Sequence, residues 1–427
     1  MYQTKNKNFR FIQIKVLLLF AIFISCKKTV VPNTPGSING LTNVCPGETN
    51  IQYSINPVNG ANYYLWTVPE GSEIISGQGT TSITINFGKK IGAICVRSNN
   101  DKEVSQKSCL DVKQGGISNR WCRALNFLGG NRQEGVAFSI NNKGYFGTGT
   151  DVKKNDIKYN DFWEYDPIEN TWSQKADFGG VARVNAVGFA INNKGYIGNG
   201  RGSITGLGYI ADFWEYDPTS NTWTKKADYN IACTNCFAFT IGNKAYVGGG
   251  TYIDAAATST KDFFEFDPLN GSLGTFTKKA DLLIARSSSV GFSIANKGYF
   301  GLGSFQSIID TKFMEYDPTD STYGNDINGN PKGKWIYIVP FSGAPRNGAV
   351  AFNINNKGYI CSGLNGTTFY SDMWEFDPLL SNPWILKTSF PGGKRTSAAG
   401  FVIGNNGYVG AGNDSTKSVN DFWIYAQ

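Results

Sequence analysis

Arginine recurs at one position of this sequence with a regularity that asks for a chemical reason. Six residues ahead of a Phe in a short apolar run stand Arg132, Arg183, Arg286, Arg346 and Arg395, and Cys233 holds the equivalent place between the second and third of these. Converging guanidinium groups can hold a carboxylate, sulfate or phosphate through paired hydrogen bonds. Two residues further on stand Glu134, Asn185, Asn235, Ser288, Gly348 and Ser397, mostly groups suited to sugar hydroxyls. The pattern predicts a ligand site at Arg132, Arg183, Arg286, Arg346 and Arg395 with Glu134 and Asn185 beside them, and Glu134 is the one weak candidate for proton transfer. The competing expectation is structural, with each Arg tying its segment to a neighbour through backbone or acidic groups.

Other chemistry is narrowed by what the chain lacks. There is no His, which excludes Ser-His-Asp and Cys-His catalysis. Cys233 and Cys236 form a single CxxC with no second pair, too few donors for a zinc site, so a local disulfide or two free thiols is expected. Asp326-Ile327-Asn328-Gly329-Asn330 alternates oxygen side chains like part of a calcium loop. The closing bidentate Glu is missing, because position 337 is Tyr, so a polar turn is expected. No metal and no cofactor is expected.

The elements that position these residues form a repeat of about 50 residues, and such a period must be recognised before any fold is assigned. Six copies align. A Gly-Tyr pair appears at Gly144-Tyr145, Gly195-Tyr196, Gly298-Tyr299, Gly358-Tyr359 and Gly407-Tyr408, with Ala245-Tyr246 in the third copy. A second aromatic block begins at Phe162, Phe213, Phe263, Phe313, Met373 and Phe422, and in five copies it runs into Asp-Pro. Trp172, Trp223, Phe276, Trp335 and Trp384 mark a further strand. Each copy opens with an apolar run such as Val136 to Ile140, followed by an Asn-rich turn of the hairpin kind. Four strands joined by hairpins make one propeller blade. The sixth copy ends without a fourth strand. Arg120 to Phe127 repeats that strand's aromatic spacing ahead of the first copy, so it is expected to complete blade six and close the ring.

With glycine runs ending the second strand, Tyr within it and Trp on the fourth, residues 117–427 resemble kelch repeats. The resemblance implies a six-bladed β-propeller over 120–427, with first strands lining a central channel. It also puts the second-to-third-strand loops and the blade-to-blade connections on one face. Those loops, at 150–160, 201–211, 251–261, 304–312, 364–371 and 413–420, differ in every copy, as variable loops on a uniform scaffold do at binding surfaces.

Residues 37–112 alternate like short strands and predict a small β-sandwich. Val44-Cys45-Pro46-Gly47, Tyr64 to Pro69, Ser76 to Thr80 and Ile94-Cys95-Val96 resemble a PKD-like, immunoglobulin-like domain. If its last hairpin is symmetric about residue 102, Cys95 lies opposite Cys109 within disulfide reach. Cys45–Cys95 is the alternative, and Cys122 and Cys361 are expected to be buried small residues. The sandwich is expected to be a spacer, with 26–36 as a tether and 113–119 as a linker.

Residues 1–25 read as a targeting leader. Lys5, Lys7, Arg10 and Lys15 precede a nine-residue apolar run, Val16 to Ile24, too short to span a bilayer. With Cys26 at its end, the segment resembles a bacterial lipoprotein signal, which implies lipidation at Cys26 and an outer-membrane lipoprotein, periplasmic or surface-exposed. Removing residues 1–25 removes four positive charges and no acid, lowering the net charge from +7 to +3. Little basicity remains to attract nucleic acid. The expected protein is thus all-β, a monomer, and a non-catalytic binding module for a glycan or protein ligand. The alternative is an isomerase resembling N-acetylneuraminate epimerase, a kelch propeller, with the arginines holding an acidic sugar.

Overall fold

The structure is a computed structural model that describes residues 31–115, 119–154, 157–202, 208–252 and 258–427. The expected leader, Cys26 and parts of the tether, the linker and three of the loops lie outside the described residues.

Six four-stranded antiparallel sheets form the blades. Blade 1 consists of Val136–Ile140, Lys143–Gly147, Phe162–Asp166 and Thr171–Gln174, and the next four blades repeat the order of innermost to outermost strand along the chain. Blade 6 combines Ala399–Ile403, Asn406–Gly410 and Phe422–Ala426 with Arg120–Arg123 as its outer strand. There Ile424 pairs with Cys122 and Tyr425 with Trp121, so the strand preceding the first repeat closes the ring.

Side-chain alternation explains why the repeated motifs take these forms. Along a first strand, Val136, Phe138 and Ile140 are buried between blades while Ala137 and Ser139 face inward, the two-residue period of a strand. Each buried Phe lies on the next blade's Gly-Tyr pair. A Cβ at Gly195 would come within 2.3 Å of the Phe138 ring, one at Gly298 within 2.1 Å of Phe239, and one at Gly144 within 2.2 Å of Phe401, the last across the closure. The Tyr of the pair donates to the Glu of the third strand, as in Tyr145–Glu164 at 2.6 Å, Tyr196–Glu215 at 2.7 Å and Tyr359–Glu375 at 2.7 Å. The Trp of the fourth strand packs edge-on to a Phe, as Trp223 does to Phe162. The shared motif is therefore blade-to-blade packing.

The sandwich consists of Ile51–Ser54, Glu73–Ser76 and Ser82–Asn86 in one sheet and Tyr63–Thr67, Ile94–Asn99 and Ser108–Leu110 in the other. Tyr53, Trp66, Ile83, Ile85, Ile94 and Val96 fill its core. Cys95 stands opposite Cys109 in the hairpin and is bonded to it. Cys45 does not pair with Cys95. It bonds to Cys122 on the closing strand, so the expectation of Cys122 as a plain buried residue is corrected: a disulfide joins the sandwich to the propeller. Around it Arg120 pairs with Glu48 at 2.9 Å, Lys90 with Glu169 at 2.8 Å, and Gln114 donates to Tyr165 at 3.1 Å. These contacts touch the turn after Asp166 in blade 1 and the first hairpin of blade 6. Both lie at the ends of the strands opposite the arginines.

Candidate functional site

At the arginine end the chain enters each first strand through a short segment, and these six segments form the mouth of the channel. Glu134, Asn185, Asn235, Ser288, Gly348 and Ser397 all adopt left-handed backbone, with φ between 52° and 60°. This turns each N–H toward the preceding blade. Asn185 N–H donates to Glu134 O, Asn235 to Asn185, Ser288 to Asn235, Gly348 to Ser288, Ser397 to Gly348 and Glu134 to Ser397, at 2.9–3.1 Å. Six backbone hydrogen bonds thus close a circle around the axis. The side chains two residues past each arginine ring the mouth, but their backbone is the scaffold's collar.

A second circle supports the first. The N–H groups of Gly149, Gly200, Gly250, Gly303, Gly363 and Gly412 donate to the carbonyls of Arg183, Cys233, Arg286, Arg346, Arg395 and Arg132, at 2.7–2.9 Å. These glycines have φ between 79° and 103°, a region open mainly to glycine. A Cβ on Gly412 would also lie 2.7 Å from the Thr396 carbonyl. The glycine run that ends each second strand is therefore a backbone requirement.

The arginine side chains are the main correction to the sequence reading. All five are buried, none more than 1% exposed. Each guanidinium turns into its own blade. Arg132 reaches Asp161 with bonds of 2.6 and 2.9 Å, Arg183 reaches Asp212 at 2.6 and 3.2 Å, Arg346 reaches Asp372 at 2.6 and 2.9 Å, and Arg395 reaches Asp421 at 2.7 and 3.1 Å. Arg286 pairs with Asp310. Nη1 also donates to the last carbonyl of the second-strand turn, at Thr148, Asn199, Ser362 and Ala411. An aromatic ring covers the groups of Arg132, Arg183, Arg346 and Arg395, such as Tyr370 over Arg346 at 4.2 Å. A buried guanidinium whose fork is filled by a carboxylate offers a ligand no open fork, even where an Nε–H is unpaired, as in Arg132 and Arg395. These residues are bound by acidic and backbone groups rather than open to a ligand, but the tie runs within a blade and not, as expected, from one blade to the next.

The partner of the clamp was the residue the sequence reading missed. Asp161, Asp212, Asp372 and Asp421 each stand one position before the third strand, and each also accepts the indole N–H of the Trp two residues on, at 2.7–3.0 Å. The signal was available, since Asp recurs there in step with Arg. Blade 4 obscures it by moving the acid to Asp310, and blade 3 by keeping Asp262 without an Arg. Burial pushes the Asp372 carboxyl up, but the hydrogen bonds from Arg346 and Trp374 outweigh it and hold the group below its ordinary pKa.

Beneath the collar lies a cavity of about 190 Å³ lined from all six blades by Ala137, Gly188, Ala238, Gly291, Ala351 and Gly400, among others. Apart from Cys236 and Ser289, its described lining is backbone and apolar side chains, which give no acid or base to a substrate. Glu134 stays at the collar, where Gln133 donates to its carboxylate at 3.3 Å. Asp326 of the blade 4 insertion forms a salt bridge with Lys279, at 2.5 Å, and caps the amides of Asn328 and Asn330.

A family model for a PKD-like domain matches residues 31–112. The chain is similar to the solved structure of YjhT. That match has a TM-score of 0.56 and 17% identity, and covers 68% of this chain and 94% of that one. At this identity the likeness is one of fold. No curated protein matches the sequence.

Above the collar the loops differ from blade to blade. Blade 4 builds a small hairpin from Ser304–Phe305 and Ile308–Ile309, blade 5 one from Leu364–Asn365 and Thr368–Phe369, and blade 1 pairs Thr150–Asp151 with Ile157–Lys158. They offer half-buried Phe305 and Phe369 on one side of the mouth and exposed Lys153, Lys154 and Arg201 on the other.

Proposed function

We propose that this protein is a non-catalytic binding module of the cell envelope. It would be anchored as a lipoprotein through Cys26 and recognise a glycan or protein ligand on the loop face of the propeller. One observation carries the reading. The repeated polar groups at the arginine end are consumed by the scaffold, while the loops on the same face differ in every blade and stand opposite the face that the sandwich occupies. A uniform frame presenting unlike loops is the architecture of a recognition surface. The sandwich, bonded through Cys45–Cys122, then acts as a spacer that keeps the loop face turned away from the anchor.

The second reading is an isomerase acting on an acidic sugar, for which the resemblance to kelch-type epimerases speaks. The chemistry of the mouth speaks against it. The five arginines are engaged by aspartates, and among the described residues lining the channel only the Cys236 thiol is an acid or base. One experiment separates the two. The purified chain is applied to a glycan array and to envelope protein fractions, and sialic acid anomer exchange is followed by NMR in its presence. Binding with no acceleration of exchange supports the module, and accelerated exchange that Glu134→Gln abolishes would establish the isomerase instead.

A further inference from the structure

Blade 3 lacks the clamp that the other five blades share. Where they carry a buried arginine, it carries Cys233, fully buried. The arginine's other partners have been reassigned. Asp262 accepts from Thr260 at 2.6 Å and pairs with Lys278. Tyr229, standing where blades 1, 2 and 5 have Phe127, Phe178 and Phe341, sends its hydroxyl to the Val247 carbonyl at 3.3 Å. None of these bonds reaches the Cys233 side chain. Among the described residues of blade 3, no side-chain hydrogen bond or ion pair therefore takes the clamp's place between the entry segment of the first strand and the third strand.

That segment carries a second thiol. Cys236 is half-buried, lines the channel cavity, and packs against the buried cluster that contains Cys233. Its Sγ lies 3.7 Å from the Asn199 amide and so close to Gly250 that a Cβ there would come within 2.6 Å. Between the two cysteines sits Asn235, a member of the backbone collar with φ of 58°.

We propose that Cys233 and Cys236 are a redox dithiol, and that closure to a disulfide gives blade 3 a covalent clamp in place of the Arg–Asp pair. Cys236 faces the channel and reacts first. Its thiolate attacks a small-molecule disulfide, forming a mixed disulfide and releasing one thiolate. The Cys233 thiolate then attacks the Cys236 sulfur, the protein disulfide forms, and the second small thiolate leaves. Two protein thiols are oxidised, one external disulfide is reduced to two thiols, and the two protons lost by the cysteines end on them. The order follows from the surroundings: burial, reinforced by neighbouring Cys236, pushes the Cys233 thiol well above its ordinary pKa, so it is the poorer first nucleophile. Because closure brackets Asn235, the oxidation state of the pair sets the rigidity of one sixth of the collar. Cys361 in blade 5 is buried with no cysteine partner and serves as an internal reference.

The test equilibrates the native full chain in glutathione buffers from reduced to oxidised. Samples are acid-quenched, denatured and alkylated, and the peptide carrying both cysteines is weighed. The expected result is two alkyl groups at the reduced end and none at the oxidised end, in one transition, with Cys361 alkylated throughout and a higher melting temperature for the oxidised form. In Cys236→Ser, Cys233 should stay alkylatable at every potential. Two alkyl groups in the most oxidising buffer, or a glutathione adduct that persists on Cys236, would overturn the proposal, as would loss of Cys233 alkylation in the Cys236→Ser variant.

Discussion

Two layers of one face behave in opposite ways. The inner layer repeats its backbone collar in all six blades and its Arg–Asp clamp in five, and its polar groups are spent on one another. The outer layer of second-to-third-strand loops is different in every blade, and apart from groups such as Asp310 and Ser418 that serve the fold, it exposes polar side chains such as Lys153, Lys154 and Arg201. Both layers hold charged residues, so charge alone does not mark function. What separates them is burial. Arg346 is fully enclosed and bound to Asp372, whereas Lys153 and Arg201 are exposed. Repetition at a buried position means that every blade solves the same packing problem. Variation at an exposed position is where recognition can be placed.

This contrast can be broken or sharpened by substitution. The largest effect is expected from the closing strand. Deleting residues 119–128 leaves the outer edge of blade 6 open and removes the Cys122 cross-link, so the sharp unfolding transition should be replaced by a broad one in calorimetry. An unchanged profile would remove the closure from the account. Next comes the clamp: Arg346→Ala strands Asp372 beside a buried cavity and should cost about 3–5 kcal/mol in urea unfolding. In a double-mutant cycle with Asp372→Ala the two losses should be strongly non-additive. A loss below about 0.5 kcal/mol, the range of surface positions, would show that the guanidinium is not a structural element.

The cross-link between domains comes third. Cys45→Ser should lower stability by about 2–4 kcal/mol and allow the sandwich and propeller to unfold in separate steps, whereas one transition at the original midpoint would show the disulfide to be dispensable. A smaller effect is expected from acid. Burial raises the Glu164, Asp372 and Glu375 carboxyls, but their hydrogen-bonded Tyr, Lys, Arg and Trp partners win and hold all three below their ordinary values. These groups bind protons more weakly folded than unfolded. Their stabilisation is therefore complete above the unfolded carboxyl pKa of about 4 and is lost as pH falls toward the folded values. Urea midpoints measured from pH 6 to pH 3 should drop, and Arg346→Ala should flatten part of that drop.

Much of this architecture was legible in the sequence, because a propeller writes its packing into the chain six times. The Gly-Tyr pair, the Asp-Pro after the third strand and the spare strand at Trp121 each correspond to one contact in the folded ring. The hairpin register that opposes Cys95 to Cys109 was equally readable, because it depends on local pairing alone. The Cys45–Cys122 bond was not, because it joins two domains whose relative placement leaves no periodic trace. The arginines were misread for a related reason. Their position in the repeat was plain, but whether a guanidinium points into a channel or back into its blade depends on an acid 24 to 29 residues away, such as Asp161 for Arg132 or Asp310 for Arg286. The αL conformation at Glu134 and Asn185 was hidden too. Six different residues share one backbone geometry there, and only the closed circle of hydrogen bonds explains it.

If the loops carry the proposed recognition and the clamps carry the fold, the two can be separated in one molecule. The most direct measurement replaces the blade 5 hairpin, residues 364–369, with a short Gly-Ser turn and records melting temperature and ligand binding on the same sample. Because the replaced residues are surface loop, stability should change by no more than about 0.5 kcal/mol, while binding to the glycan or protein captured by the unaltered chain is lost or weakened at least tenfold. Full binding retained by this variant and by equivalent replacements in blades 4 and 6 would contradict the claim and return attention to the channel mouth.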